Sequence, residues 1–139
     1  MPAAPLLLKV LAPLVVMGVV AACQKALSEA RMRPLGTLAG TEWGFAGDGR
    51  FVAFRAGGEI AGSGGCNSFF GQYTQDGARL TVGPLASTKK ACPPATMDRE
   101  AAFLRMLERV RRVEATHAEL VLFGADDAVL ARLRRKDWD

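Results

Sequence analysis

The chain has 139 residues, half of them apolar, and a formal net charge of +4 from 18 Lys and Arg and 14 Asp and Glu. This length accommodates one domain and excludes a multidomain enzyme, while the apolar content excludes a disordered chain. Because the chain contains one histidine, catalytic or metal sites built on several imidazoles are excluded. Three cysteines are too few for a disulfide-dense miniprotein, and their odd number needs an explanation.

The first 22 residues have the character of an export signal. Lys9 is their only charged residue, an apolar stretch runs through Val10–Val20, and small residues follow it. Pro13 and Gly18 interrupt this stretch, which is too short to span a bilayer comfortably. Residues 1–22 are therefore predicted to be a signal peptide and not part of the folded domain.

The end of this segment, Val20-Ala21-Ala22-Cys23, resembles the lipobox of bacterial lipoproteins. The resemblance implies acylation of Cys23, cleavage before it, and a membrane anchor of several acyl chains. Gln24 in place of an aspartate favours the outer membrane, by analogy with enteric sorting signals. An ordinary signal peptide with a cysteine near its cleavage site and a plain N-terminal anchor are the alternatives.

Cleavage at this position leaves 117 residues with a net charge of +3 and an ordinary apolar content. Residues 23–36 contain few large apolar side chains and include Pro34 and Gly36 near their end, so they are predicted to tether the lipid to the domain. The domain itself is then expected to span residues 37–136.

Thirteen of the 15 glycines lie between Gly36 and Gly83, a density typical of frequent turns between short strands. Turns are predicted at residues 47–49, 56–58 and 75–77, and they favour an antiparallel meander. The predicted strands are Leu38–Phe45, Arg50–Arg55, Glu59–Gly62, Asn67–Thr74, Arg79–Val82, Glu119–Phe123 and Val129–Arg134.

One amphipathic helix of about four turns is predicted after Pro93 and Pro94, with Thr96 as the cap of its start. Glu108 and Arg112 would form a weakly supportive pair if the helix reaches that far. The fold is therefore predicted to be mainly β, of the α+β class, with one helix inserted before the last two or three strands. The apolar stripe expected to face the sheet consists of Met97, Ala101, Leu104, Leu107 and Val110.

With Cys23 assigned to lipid, Cys66 and Cys92 remain, and in an exported protein two such cysteines most often form a disulfide. Two free thiols are one alternative. The other is a metal site of Cys66, Cys92 and His117, which lacks the close ligand spacing of such sites and would need a fourth ligand. No metal is therefore expected.

Other catalytic or binding sites have weaker support in the sequence. Nothing around His117 supports a Ser–His pair, so no catalytic residue and no cofactor are expected. The run from Gly62 to Gly65 lacks the Lys-Ser/Thr of a phosphate loop and is predicted to be a bulge or a tight turn. The candidate nucleophiles are Ser63, Ser68, Ser87 and Thr88.

Basic residues near the end of the chain are candidates for a patch that binds anionic headgroups. From Arg99 to Asp139, however, eight acidic residues accompany nine basic ones, which favours an ordinary solvated surface. Nucleic acid is not an expected partner of an exported protein with balanced charge. The aromatic residues of the first half are expected in the core, with a small apolar pocket inside a partly open barrel as the alternative. The basic residues in question are Arg105, Arg109, Arg112, Arg132, Arg134, Arg135 and Lys136.

Several groups of residues form a recognisable pattern. They are Leu38-x-Gly40-Thr41-x-Trp43, Gly62-x-Gly64-Gly65-Cys66-Asn67-x-Phe69-x-Gly71-x-Tyr73, Ser87-Thr88 followed by Cys92, and the helix residues Glu100, Phe103, Leu104 and Leu107. This pattern resembles the META domain, the HslJ-like family of small bacterial envelope proteins, over about residues 36–135. The Gly-Gly-Cys-Asn block is its most specific part, and Lys89-Lys90 before Ala91-Cys92 departs from it.

The resemblance implies a compact antiparallel, cone- or barrel-like β fold with one helix, and it does not imply an enzyme. It also implies lipoproteins linked to envelope stress and the heat response. The favoured hypothesis is a non-enzymatic lipoprotein that supports such resistance by binding another envelope component, and Gln24 favours an outer-membrane anchor with the domain facing the periplasm. The alternatives are a lipid- or small-ligand-binding module that uses the barrel interior and an inhibitor of an extracellular enzyme. The residues expected to define the fold are Gly40, Thr41, Trp43, Gly64, Gly65, Cys66, Asn67, Gly71 and Tyr73.

Overall fold

The computed structural model describes residues 11–137, and the chain divides between Arg33 and Pro34 into two units. The first unit contains helix α1, Leu11–Arg31, whose described side chains from Met17 onward are exposed. Among the described residues, no helix combines the length and the apolar character needed to cross a membrane. Helix α1 continues past the predicted cleavage position before Cys23, and the cleavage itself stays a prediction.

The second unit contains nine strands and one α-helix. Its strands alternate buried and exposed side chains, as in β2, where Val52 and Phe54 are buried and their neighbours are only partly buried. The elements are β1 Thr41–Gly44, β2 Phe51–Phe54, β3 Glu59–Ser63, β4 Ser68–Asp76, β5 Arg79–Val82, β6 Ala86–Ser87, α2 Pro94–Glu108, β7 Arg112–Ala115, β8 Glu119–Phe123 and β9 Val129–Arg135.

The strands form one antiparallel sheet that closes into a ring. Its order is β3-β2-β1-β9-β8-β7-β5-β4, and β4 pairs in turn with β3, while the short β6 adds to β4. This confirms the predicted mainly β, barrel-like fold with one helix before the last three strands. Around the ring, β5 and β7 have the fewest paired residues of any two neighbouring strands, with the single register pair Arg79 and Arg112.

The glycine-rich turns explain why so many short strands can follow one another. Between β2 and β3, Gly57 and Gly58 have φ angles of +85° and +81°, a left-handed conformation that glycine adopts without steric cost. The Arg55 N–H donates to the Glu59 carbonyl (2.8 Å) across this turn. The predicted turns at 56–58 and 47–49 are confirmed. The turn predicted at 75–77 lies instead at Gly77 and Ala78, because Gln75 and Asp76 still pair with β5 as part of β4.

Large side chains from the strands and from α2 occupy the interior of the ring. Trp43, Phe54, Phe69 and Phe103 are each at most 2% exposed. The Phe103 ring of α2 packs edge-on against Phe45 and Phe69, with centroid distances of 5.6 and 5.9 Å. A ligand in this interior would have to displace core side chains.

Helix α2 begins and ends earlier than its predicted form. It begins at Pro94, and no side chain caps it, so the expected cap by Thr96 is wrong. A proline suits the first turn because its missing N–H would be unpaired there in any case. The helix ends at Glu108 and Arg112 lies on β7, so the expected helical pair between these two residues is also wrong.

The buried face of α2 is rotated from the predicted stripe. Leu107 of the stripe is buried, as is Val110 just beyond the helix, whereas Met97 is 38% exposed and Leu104 is only partly buried. The other buried residues of α2 are Glu100 and Phe103. The prediction considered apolar residues alone, but the position nearest the β3–β4 turn is occupied by a buried carboxylate. Strands β6 and β7 were not predicted, since they are short and contain few large apolar residues.

Candidate functional site

The carboxylate of Glu100 lies buried against the turn that joins β3 to β4. Its Oε2 accepts hydrogen bonds from the backbone N–H groups of Asn67 (2.6 Å) and Cys66 (3.0 Å). Its Oε1 accepts a third from the side-chain Nδ2 of Asn67 (2.8 Å). Because Glu100 is only 5% exposed, these three donors replace the water that its charge would otherwise need.

The hydrogen bonds also set the protonation state of Glu100. Burial alone raises the pKa of this carboxyl, but the donors on Asn67 and Cys66 outweigh burial and leave the pKa below its usual value of 4.5. A carboxyl group that serves as a general acid near neutral pH needs the opposite shift. Glu100 therefore acts as a fixed acceptor that ties α2 to the β3–β4 turn.

The side chain of Asn67 connects the same turn to the segment before α2. Its Oδ1 accepts hydrogen bonds from the Lys90 N–H (2.6 Å) and the Thr88 hydroxyl (2.9 Å). Its Nδ2 is committed to Glu100, so both ends of the amide are bonded. Asn67 is 3% exposed and thus holds together three parts of the chain from a buried position.

A disulfide reinforces this junction. Cys66 and Cys92 are bonded, with a Cα–Cα distance of 6.2 Å, which confirms the predicted bond and contradicts the alternative of two free thiols. His117 lies elsewhere, in the turn between β7 and β8. Within the part of the chain that the structure describes, no three His, Cys, Asp or Glu residues are grouped as metal ligands.

Several other residues of the pattern have identifiable structural roles. The Trp43 Nε1–H donates to the Thr41 hydroxyl (2.6 Å), which donates to the Leu38 carbonyl (2.6 Å). The Tyr73 hydroxyl donates to the Arg55 carbonyl (3.0 Å). Gly71 faces Leu85 and the Pro84 carbonyl, and Gly64 faces Glu100, at distances that leave no room for a Cβ. Gly40 and Gly65 have positive φ angles of +79° and +106°.

The structure thus brings Gly64, Cys66 and Asn67 together with Glu100, a residue that the sequence pattern assigned only to the helix. The signal that could have identified its role is an acidic residue on the buried face of an amphipathic helix. The hydroxyl candidates do not form a cluster with a free base. Ser63 accepts from the Gly65 N–H (3.2 Å), Thr88 is bonded to Asn67, and Ser68 and Ser87 lie on β4 and β6.

A different part of the barrel offers an open surface. A groove of about 540 Å³ is lined by residues of β7, β8 and the β4–β5 turn, and the segment of residues 34–36 forms one wall. The Leu35 N–H donates to the Ala115 carbonyl (2.8 Å) and holds this wall in place. The lining is largely apolar and includes three charged side chains. The apolar residues are Pro34, Leu35, Ala78, Val113, Ala115 and Val121, and the charged ones are Glu114, Glu119 and Arg132.

Comparison with known proteins places these features in context. Residues 39–137 match the sequence pattern of the META domain. No curated protein matches the sequence. An NMR structure of a protein from Burkholderia xenovorans is similar, with a TM-score of 0.60 and 20% identity, over 71% of this chain and 83% of that one. A second NMR structure has a TM-score of 0.52 and 23% identity, over 71% and 90% of the two chains. At these identities the likeness concerns the fold.

Proposed function

Because the chain belongs to the META domain family, we propose that it is a non-enzymatic lipoprotein of the bacterial cell envelope. In this proposal Cys23 carries the acyl chains in the outer membrane, and the META domain faces the periplasm and binds another envelope component. Such binding supports resistance to envelope or heat stress.

One feature supports the location of the protein. The disulfide between Cys66 and Cys92 suits an oxidising compartment, since disulfides are rare in reducing ones. It agrees with export of the domain.

The groove beside residues 34–36 carries the proposal of a binding function. Its volume of about 540 Å³ falls in the range of ligand-binding clefts. The residues of the Gly-Gly-Cys-Asn block, by contrast, are committed to Glu100 and to the disulfide. The ring interior is filled by Trp43 and phenylalanine side chains, so the groove is the better place for a ligand.

The anchor is tested by replacing its attachment site. We expect the natural protein to carry acyl chains by mass spectrometry and to fractionate with outer membranes, and Cys23→Ser to lose both properties. Gln24→Asp is the matched variant: it keeps the acyl chains and moves to the inner membrane. An unchanged mass and membrane fraction for Cys23→Ser would contradict the proposed anchor.

The binding function is tested by filling the groove. Gly36 lines it, has no positive φ angle and has no atom within 4 Å of the position a Cβ would take, so Gly36→Leu adds volume without strain. In a strain that lacks the gene, the natural protein should restore survival of heat stress, and Gly36→Leu should not. Equal survival with both proteins at equal abundance would contradict a binding role of the groove.

A further inference from the structure

A second hollow, of about 370 Å³, adjoins the groove and is basic. Arg79, Arg111 and Arg112 line it, together with Asp76 and Ala78. Ala78 lines the groove as well, so the two hollows share this residue. The Ala78 carbonyl accepts a hydrogen bond from the Val113 N–H (2.8 Å), which fixes their common border at the β5–β7 junction.

The arginines of this hollow differ in how far their charge is neutralised. Arg112 donates to Asp127 (2.7 Å) and Glu114 (2.6 Å) and lies 3.8 Å from the centre of the Phe123 ring. Arg79 on β5 stands opposite Arg112 of β7 on one side and opposite Asp76 of β4 on the other, so it has one like and one opposite charge as cross-strand neighbours. Among the described residues, no carboxylate forms an ion pair with Arg79.

Arg111 also keeps donors for a ligand. Its Nη1 donates to the Val110 carbonyl (2.6 Å) and the Glu108 carbonyl (3.0 Å), which fixes the guanidinium at the end of α2. A guanidinium has five N–H donors, so Arg111 retains others that suit the oxygens of a phosphate. In the part of the chain that the structure describes, neither Arg79 nor Arg111 has a carboxylate at ion-pair distance, so both guanidinium groups remain available to an anion.

We propose that the groove and the basic hollow form one binding site for an anionic amphiphile, with its phosphate-bearing headgroup on Arg79 and Arg111 and its alkyl chain in the groove. The guanidinium groups of Arg79 and Arg111 favour an anionic headgroup, and the apolar lining of the groove favours a ligand with a hydrocarbon part. This inference rests on the proposed binding function and specifies the ligand class. A free phosphate has the same headgroup chemistry but leaves the groove empty.

Native mass spectrometry of the purified full-length protein, with three added probes, tests the site. Phosphatidylglycerol combines both parts of the ligand, phosphatidylcholine has the chains without net negative charge, and glycerol 3-phosphate has the phosphate without chains. We expect phosphatidylglycerol to bind most tightly. Arg79→Gln should weaken its binding at least about tenfold, the value of one charged hydrogen bond. Gly36→Leu should weaken it as well, through the groove.

Arg105→Gln is the matched control, because Arg105 is an exposed arginine of α2 that lines neither hollow. It should bind phosphatidylglycerol as the natural protein does, and thermal unfolding should show that all three variants are folded. Equal binding by Arg79→Gln and Arg105→Gln, or equal binding of phosphatidylglycerol and either other probe, would overturn the proposal. Cys23→Ser should retain the lipid site, which separates this result from a failure of the proposed anchor.

Discussion

Gly64 and Glu100 occupy mutually dependent positions: a Cβ on Gly64 would overlap the Cγ and Oε2 atoms of Glu100. The glycine therefore allows the buried carboxylate to reach the N–H groups of Cys66 and Asn67. Gly64 and Glu100 thus together connect the β3–β4 turn to α2, the only α-helix among the described residues of the META domain. The stability of the domain should depend on both.

Gly64→Ala should destabilise the domain by about 2–4 kcal/mol, since the new methyl group displaces Glu100 and leaves buried polar groups unpaired. Urea unfolding of the purified protein measures this change. Gly36→Ala is the control, because nothing lies within 4 Å of its Cβ position, and it should change stability by at most about 0.5 kcal/mol. Similar losses in both variants would contradict the steric explanation.

Glu100→Gln should cost about 1.5–3 kcal/mol at neutral pH, because it removes a charged acceptor from two backbone N–H groups. The folded pKa of Glu100 lies below the ordinary 4.5, so its contribution is complete above that pH and is lost as pH falls through the folded pKa. The difference in unfolding free energy between the two proteins should therefore shrink in acid. A difference that stays constant from pH 7 to pH 3 would refute this assignment.

Replacing both Cys66 and Cys92 by serine should lower stability by about 3.5 kcal/mol, the chain-entropy value for a separation of 26 residues. Thermal unfolding with and without a thiol reductant provides the measurement. Reductant should bring the natural protein to the level of the double variant and leave that variant unchanged. Cys23→Ser is the control and should respond to reductant as the natural protein does, since Cys23 is not in the disulfide.

Phe103→Ala should cost about 3–5 kcal/mol, because its ring is 2% exposed and packs against Phe45 and Phe69. Met97→Ala should cost about 1 kcal/mol or less, since Met97 is 38% exposed. Chemical unfolding of the two variants compares the buried face of α2 with the apolar stripe that the sequence predicts. A larger loss for Met97→Ala would favour the predicted stripe.

Much of the fold follows from local sequence patterns. The glycine turns and the alternation in segments such as Glu119–Phe123 predict seven strands, and each coincides with an observed one. Strand β7 escapes prediction because Val113 is its only large apolar residue. Helical periodicity does not predict that Glu100 lies on the buried face of α2, because its hydrogen-bond partners are 33 and 34 residues away in the sequence.

The site is less accessible to sequence reasoning than the fold. The Cys66–Cys92 bond is predictable because the sequence predicts export and assigns Cys23 to lipid, which leaves one possible pairing. The groove depends on residues 34–36 lying beside the β4–β5 turn and β7, three segments that come together only when the ring closes. Arg79 and Arg112 are separated by 33 positions in the chain, and only the strand register makes them neighbours.

The small number of pairings between β5 and β7 also has a consequence for how the barrel opens. Two backbone hydrogen bonds, from Leu80 to Arg111 (3.1 Å) and from Val113 to Ala78 (2.8 Å), join these strands beside their single register pair. Local opening is easiest where the fewest hydrogen bonds join two strands. These amide hydrogens should therefore exchange with deuterium faster than those between β8 and β9. A molecule bound across the β5–β7 junction would stabilise it, and the barrel would open there less often in the bound state.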